Sequence, residues 1–202
     1  MKRLFFVMML LASQMTFTHV AAQTAKQVLD KCAAVVSNKN GVSAHFKMTS
    51  AQYGHTSGDI AVKGRMFRAS TNLSKMWFDG KTLWTYMNKN DEVNVTTPSE
   101  SQLQVLNPYN FINLYKTGFN YTMTKSSGFY RVHLTAKDSK RRVQEMFITV
   151  DQKSFQPTEV KLLQKSKWTT FTISNFKKDK IADAQFRFNA KDFPSAEVID
   201  LR

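Results

Sequence analysis

Alternation of apolar and polar residues with a period of two is the feature that most constrains the fold of this chain. Ala44, Phe46 and Met48 begin the pattern, and it returns in short segments separated by polar turns. Such a period places successive side chains on opposite faces of a β-strand. The predicted strands are residues 43–49, 60–67, 75–78, 82–87, 92–97, 120–125, 129–136, 143–150, 158–164, 168–176 and 184–188.

The turns between these segments are short, which favours antiparallel neighbours joined in chain order. Asp79-Gly80, between residues 75–78 and 82–87, is a strong hairpin signal because this dipeptide tolerates the positive φ angles of tight turns. Most strands follow one another at a spacing of about ten residues with no helix between them. The sequence therefore predicts one antiparallel, meandering sheet in a single domain.

Two segments interrupt the period of two and are predicted to be helical. Residues 24–36 are amphipathic, and Thr24 with Gln27 fits a capping box. Asn107-Pro108 begins a second, shorter apolar patch over residues 107–115. Two helices give little cover to a sheet of about 10–11 strands with one apolar face. The interior is therefore either an incompletely filled cavity or a tightly packed core.

The amino terminus has the pattern of a secretory signal peptide. Lys2-Arg3 precedes a short apolar run, and Val20-Ala21-Ala22 supplies small residues at its end. The run is shorter than the roughly 20 apolar residues that a bilayer span needs, so a membrane anchor is the weaker alternative. We expect residues 1–22 to be removed and residues 23–202 to form one exported, periplasmic domain.

The formal net charge of +14 suits nucleic acid, an anionic membrane surface or an acidic protein. Export argues against nucleic acid. The basic residues are scattered through the predicted strands, so two interpretations stay open: a solvated basic face, or a surface that meets anionic lipid or an acidic docking partner. Cys32 is the sole cysteine, which excludes an internal disulfide and is typical of a buried small residue.

No constellation of residues indicates catalysis. The sequence lacks the G-x-S-x-G, H-E-x-x-H and P-loop motifs. Its histidines have no spacing that indicates a metal site. We therefore expect a protein that is not an enzyme and that uses neither a metal ion nor another cofactor.

Residues 78–86, F-D-G-K-T-L-W-T-Y, resemble the D-G-K-x-L-W-x-Y hairpin of the periplasmic lipoprotein carrier family called LolA. Three further stretches follow in the order of that family. Residues 41–46 resemble its first strand, residues 58–67 its next strand, and residues 181–188, before Pro194, its closing strand. Together these stretches cover most of the chain after the predicted signal peptide.

The resemblance implies a mainly β fold: a single unclosed antiparallel β-barrel of about 10–11 strands, with a concave apolar face covered by short helices. It also implies a function, since members accept triacylated lipoproteins from an inner-membrane lipoprotein-releasing transporter and deliver them to the outer membrane. The implied partners are acylated lipoproteins, or a related lipid, and that transporter. The outer-membrane acceptor stays open, nucleic acid is not a partner, and the expected carrier is a monomer.

The expected lipid-binding residues lie in the predicted strands and in the second helix. They are Phe46, Met48, Phe67, Met76, Phe78, Trp84, Tyr86, Phe111 and Leu114. The phase of residues 75–78 leaves open whether Met76 and Phe78 or Trp77 faces inward.

One departure from the family concerns the lid over the concave face. Well-known members carry an Arg-Pro pair whose arginine helps to hold the lid, and this chain has Lys63-Gly64-Arg65 without the proline. Lys63 or Arg65 is therefore the expected polar residue at the lid. Phe67 matches the phenylalanine at the mouth of family members. We expect Phe67→Glu to cripple cargo handling without unfolding the protein.

Three other functions are compatible with these residues. A periplasmic sensor of lipid or of misfolded outer-membrane protein uses the same fold, although such regulators usually carry a second domain. A carrier of another hydrophobic molecule, such as a glycolipid or a polyketide, needs the same cavity. A basic module that binds anionic polysaccharide predicts instead a filled core and strongly salt-sensitive binding.

Overall fold

The computed structural model describes residues 23–52, 54–99, 102–103, 106, 109 and 114–202. The predicted signal peptide, residues 1–22, lies outside the described residues, and so does Phe111. Of the second predicted helix, residues 107–115, the structure describes residues 109, 114 and 115. Its helical character therefore stays a prediction.

The amino-terminal helix forms as predicted. Helix α1 spans Ala25–Val36, and the side chains of Thr24 and Gln27 each accept a hydrogen bond from the backbone amide of the other. This capping box satisfies two amides that the start of a helix otherwise leaves unpaired. The buried side of α1 consists of Val28, Leu29, Cys32, Ala33 and Val36.

Twelve strands form a single sheet within the described ranges. They are β1 (Val42–Ser50), β2 (Gly54–Lys63), β3 (Met66–Thr71), β4 (Ser74–Phe78), β5 (Leu83–Met87), β6 (Glu92–Thr96), β7 (Phe119–Ser126), β8 (Phe129–Ala136), β9 (Glu145–Asp151), β10 (Pro157–Gln164), β11 (Lys167–Lys178) and β12 (Glu197–Asp200). Consecutive strands pair antiparallel from β1 to β6 and from β7 to β11.

Two pairings between distant parts of the chain complete the sheet. β1 pairs antiparallel with β11, which places Phe46 opposite Ile173 and joins the two runs. β12 adds to β6 in parallel. The sheet ends at β12 on one side and at β7 on the other, so it is not closed into a barrel. The predicted mainly β, unclosed fold is confirmed, with twelve strands in place of about 10–11.

The predicted strand over residues 60–67 is wrong in extent. β2 ends at Lys63, Gly64 and Arg65 form a turn, and β3 begins at Met66. Gly64 has a φ angle of 58°, which glycine adopts without steric cost and which tight hairpin turns require. The prediction joined the apolar residues on both sides of Gly64 into one strand and did not recognise the glycine as a turn.

The predicted strand over residues 184–188 is also wrong. Asp183–Phe186 is a 3₁₀-helix, and Ala190–Asp192 is another. This segment lies against the sheet instead of within it: Phe186 is buried beside Ala61 and Ile181 in a small cluster separate from the main core. The backbone joins the sheet only further on, in β12.

Opposed residues on neighbouring strands point to the same side of a sheet, and these pairs define its two faces. Phe67 of β3 opposes Phe78 of β4, and both belong to the main buried cluster together with Phe46 and the buried side of α1. We call this side the inner face. The opposite side, which carries Ala61 beneath Phe186, is the outer face.

Candidate functional site

The inner face of β1 to β4 is apolar at the positions where lipid-binding residues were predicted. Phe67 is fully buried and Phe78 is 2 % exposed, and their ring centroids lie 5.5 Å apart. Phe46 belongs to the same cluster, and the partly buried Met48 and Met76 pack against it. The structure therefore brings these five predicted residues together.

The burial of Phe67 revises the expected behaviour of one variant. Phe67 has no exposed surface, so Phe67→Glu would place a carboxylate in the apolar core. An unpaired buried charge costs several kcal/mol, of the order of the whole stability of a domain. We now expect this variant to unfold, and a test of cargo binding needs a position at the margin of the cluster.

The cover of the inner face consists of α1 and the connection between β6 and β7. In that connection, Leu103, Tyr109 and Tyr115 are buried in the main cluster, and Leu106 and Leu114 pack against it. Leu114 was predicted to belong to the site, and the structure places it in this cover.

A hydrogen bond joins the two parts of the cover. The Tyr115 hydroxyl donates to Oδ1 of Asp30 on α1 over 2.6 Å, and the Tyr121 hydroxyl donates to the backbone oxygen of Tyr115. Asp30 and Tyr115 are 85 positions apart, and no local pattern in the sequence indicates the pair. The contact is thus a tertiary link that sequence reasoning missed.

Two neighbours favour the ionised form of Asp30. The Lys26 ammonium, 2.8 Å from Oδ2, and then the Tyr115 hydroxyl lower the pKa of the Asp30 carboxyl below its usual value. Burial and then the bond to Asp30 raise the pKa of Tyr115. At neutral pH the link is therefore a neutral phenol that donates to a carboxylate, the stronger, charge-assisted kind of hydrogen bond.

A groove of ≈ 270 Å³ lies at one margin of the inner face, between β5, β6 and the connection that follows β6. Leu83, Thr96, Leu106 and Arg142 contribute to its lining. Pockets for small molecules usually measure about 300–1,000 Å³. The volume of this groove is just below that range.

Trp84 and Tyr86 lie on the outer face, away from the other predicted residues. Trp84 opposes Trp77 across β4 and β5. The Phe193 ring lies 4.6 Å from the Tyr86 ring and 5.6 Å from the Trp77 ring. The hypothesis that Trp84 and Tyr86 line the cavity is therefore corrected, and Trp77 is an outward-facing residue of β4.

Lys63 also lies on the outer face, where it binds the carboxyl-terminal segment. Its ammonium donates to the backbone oxygen of Ile181 over 2.9 Å and to Oδ1 of Asp183 over 2.7 Å. Arg65 is exposed in the adjoining turn. The hypothesis that Lys63 holds a lid on the inner face is corrected, because side chains alternate along β2 and Lys63 follows the inward-facing Val62.

The carboxyl-terminal segment is the main structural feature that sequence reasoning missed. We call residues 181–193 the outer strap. Phe188 and Phe193 pack edge-on against Trp77, and the Arg187 guanidinium lies 3.4 Å from the Asp79 carboxylate. The alternation of Phe186 and Phe188 was the available signal, but a strand and a segment lying on a sheet share it.

The thiol of Cys32 is buried, and the described residues do not cluster as metal ligands. Burial raises the pKa of Cys32 to about 12, so the thiol stays protonated and unreactive at neutral pH. Among the described residues, no group of three or more His, Cys, Asp or Glu side chains is placed to hold a metal ion. Within the same ranges, no helix has the length and apolar character needed to cross a membrane.

The architecture defines a class of protein, the open antiparallel sheet whose apolar face lies under a partly helical cover. Within that class, the family model of the outer membrane lipoprotein carrier protein LolA matches residues 14–166. The chain belongs to this family.

Solved structures share the fold at low sequence identity. An uncharacterized conserved protein from Thermus thermophilus is 12% identical with a TM-score of 0.59, and the match covers 88% of this chain and 99% of that one. A LolA superfamily protein from Nitrosomonas europaea is 12% identical with a TM-score of 0.45, over 83% and 99% of the two chains. LprF from Mycobacterium bovis is 10% identical with a TM-score of 0.46, over 78% and 96%. The likeness to the Thermus thermophilus protein supports the fold. A search of curated proteins found no match to the sequence.

Proposed function

We propose that this protein carries the acyl chains of lipoproteins through the periplasm, held between the inner face of the sheet and its cover. The observation that supports this most directly is the continuous apolar cluster that joins Phe46, Phe67 and Phe78 to α1 and Leu114. Membership of the LolA family favours a lipid or a lipoprotein as the cargo. The proposed task breaks no covalent bond, so it requires neither a catalytic group nor a cofactor.

The proposed acyl-contacting residues combine rigid rings with flexible side chains. They are Phe46, Met48, Phe67, Met76, Phe78, Phe111 and Leu114. Methionine adapts its shape to irregular apolar partners, which suits lipoproteins whose acyl chains differ. Trp84 and Tyr86 are left out because they point away from this cluster.

The energetics of acyl transfer favour a cover that fits imperfectly and moves. Burial of one CH₂ group contributes about 0.8 kcal/mol, so one 16-carbon chain corresponds to about 12 kcal/mol and three chains to about 36 kcal/mol. Noncovalent affinity saturates near about 18–21 kcal/mol. A carrier that must release its cargo therefore recovers only part of this free energy.

Opening of the cover has one identifiable polar cost. The link between Tyr115 and Asp30 must break if the connection lifts away from α1, and this bond contributes about 1 kcal/mol or less because water screens the half-exposed Asp30 carboxylate. Leu106 and Leu114 pack against the apolar cluster, and these contacts can be replaced by contacts with acyl chains. Cargo thus shields the apolar surface that an opened cover would otherwise expose to water.

The proposed route begins with export of the chain and takes its direction from the partners at the two membranes. Residues 1–22 direct the chain across the inner membrane, and residues 23–202 act in the periplasm. An inner-membrane lipoprotein-releasing transporter supplies the acylated cargo, and the outer membrane receives it. Direction comes from these partners, because the proposed carrier only exchanges one apolar environment for another.

Glutamate substitutions at two neighbouring positions of β1, one on each face of the sheet, test the proposal. Met48 is half-buried at the inner face, and Thr49 is exposed on the outer face. Purified protein is incubated with spheroplasts of its own host, and bound molecules are identified by mass spectrometry. We expect acylated lipoproteins on the wild type and on Thr49→Glu, and a reduction of about tenfold or more on Met48→Glu, because acyl chains would desolvate the new carboxylate.

Circular dichroism establishes that both variants are folded before cargo is compared. Equal loading of the two folded variants would place the cargo elsewhere and refute the proposed site. A different lipid in the bound fraction would keep the carrier and change its cargo. Absence of any bound molecule on the wild type would favour the sensor or the polysaccharide-binding module.

A further inference from the structure

The outer face of β8 to β11 carries aromatic and basic side chains side by side. His133 of β8 opposes Phe147 of β9, which opposes Lys161 of β10. Arg131 lies two residues before His133 on the same face of β8, and Trp168 projects outward from β11. We call these five residues the basic aromatic patch.

The rings of the patch form one contiguous surface. The His133 and Phe147 rings are stacked with centroids 4.2 Å apart and planes 7° apart, and the Trp168 ring lies 5.8 Å from Phe147. The Arg131 guanidinium lies 4.8 Å from the Phe147 ring centroid, and the Lys161 ammonium 5.5 Å from that of Trp168. The cations thus lie over apolar rings that remain partly accessible.

Nearby charges make this surface predominantly basic. Lys165 lies in the turn that connects β10 and β11, and Lys47 lies on the outer face of the adjacent β1. Three carboxylates lie on the outer face of β8 to β10: Glu145, which is 3.0 Å from His133, Asp151 and Glu159. The four cations, Arg131, Lys161, Lys165 and Lys47, outnumber these three carboxylates.

The other half of the sheet has a similar outer cluster with a different environment. There Trp77, Tyr86 and Lys75 lie against Phe188 and Phe193 of the outer strap. In the described part of the chain, the ring and cation partners of the basic aromatic patch all come from β8 to β11. Half-buried rings with basic margins are thus available to a partner outside the chain.

We infer that the basic aromatic patch docks the protein on the surface of an anionic lipid bilayer. Tryptophan and long basic side chains are the residues that favour the membrane interface, because their apolar parts enter the headgroup region while their polar ends stay in water. Each basic residue near an anionic bilayer adds further attraction. Phe129, 38 % exposed and two residues before Arg131, extends the apolar contact.

The docking surface lies on the face of the sheet opposite the proposed cargo site. The inner face therefore stays open to cargo when the outer face meets a bilayer, and the inference does not require that the cargo be a lipoprotein. This arrangement goes beyond the proposed function because it assigns a membrane contact to the carrier itself.

Flotation with lipid vesicles tests the inference. We expect the purified protein to float with vesicles that contain phosphatidylglycerol and phosphatidylcholine, to bind phosphatidylcholine vesicles weakly, and to be released by salt. The double variant Arg131→Glu/Lys161→Glu should reduce the partition coefficient by about tenfold or more. Trp168→Ala should reduce it severalfold while the salt dependence persists.

The matched control is Lys81→Glu/Lys89→Glu, which changes the net charge equally at exposed turns of the other half of the sheet. An equal loss with the two double variants would mean that net charge alone is responsible, and the inference would fail. Absence of flotation for the wild type would also overturn it. So would capture by dextran sulfate beads without flotation, since that outcome indicates a polysaccharide. None of these results depends on the cargo-loading experiment.

Discussion

The two halves of the sheet differ in what covers their outer face. On the β2 to β4 half, the outer strap lies on the outer face, where Ile181 and Phe186 form a cluster with Ala61. On the half that begins with β7 and β8, α1 packs on the inner face and buries Val28 and Leu29. The inner face of β3 and β4 is buried as well, at Phe67 and Phe78, whereas the outer face of β8 to β11 carries the half-buried rings of Phe147 and Trp168.

Both covers use the same physical device. Each buries a few apolar side chains and makes polar contacts with distant residues: Lys63 with Ile181 and Asp183 for the outer strap, and Tyr115 with Asp30 for α1. Apolar burial has little directional preference, whereas a hydrogen bond specifies geometry. The comparison shows that the chain itself covers some parts of the sheet, and that the parts left uncovered are available to a partner.

The largest expected effect comes from removing the apolar anchor of the outer strap. Phe186 is fully buried, so Phe186→Ala should reduce the free energy of unfolding by about 3–5 kcal/mol. The matched change on the uncovered half, Phe147→Ala, should cost about 1 kcal/mol or less, because the ring is only half-buried. Urea denaturation measures both, and equal losses would remove the distinction between a covered and an uncovered outer face.

A smaller effect is expected from the polar contact of the strap. Lys63→Met removes the donor to the Ile181 carbonyl and should cost about 1–2 kcal/mol, since the acceptor is left unpaired. The ion pair with the exposed Asp183 adds little. Hydrogen exchange should accelerate in the outer strap and remain unchanged in α1. Faster exchange in α1 would contradict the independence of the two covers.

The smallest effect concerns pH and the contact that holds the cover of the inner face. The pKa of Asp30 is lower in the folded protein, so its contribution is present above its ordinary pKa and is lost as the pH falls through the folded value. Asp30→Asn should therefore destabilise the protein near neutral pH and match the wild type once the pH is below the folded pKa of Asp30. The difference should stay below about 1 kcal/mol, because the Asp30 side chain is 46% exposed.

Denaturation of the wild type and of Asp30→Asn across this pH range measures the effect. A constant difference between the two proteins would show that the ionised carboxylate does not contribute.

Local signals in the sequence were sufficient for much of the fold. The capping box of Thr24 and Gln27 placed the start of α1, and Asp79-Gly80, with Gly80 at a φ angle of 99°, placed the hairpin between β4 and β5. Alternation identified Phe46 and Phe78 as residues of an apolar face. These features depend on residues a few positions apart, which a sequence displays directly.

The same signals failed where alternation allows more than one structure. Trp84 and Tyr86 alternate as regularly as Met76 and Phe78, and the face that each pair occupies depends on the strand phase relative to α1. A change of one residue in register moves a whole set of side chains to the other face. The candidate site was therefore predicted only in part.

The sequence by itself determined α1, most of the strands, the antiparallel neighbours joined by short turns, and the apolar residues available for burial, because these follow from backbone preferences and contacts along a few residues. Only the tertiary structure decided that β1 meets β11, that Phe186 covers the outer face, and that Asp30 meets Tyr115. Those choices depend on which apolar surface remains open when distant segments meet, and that competition involves the whole chain at once.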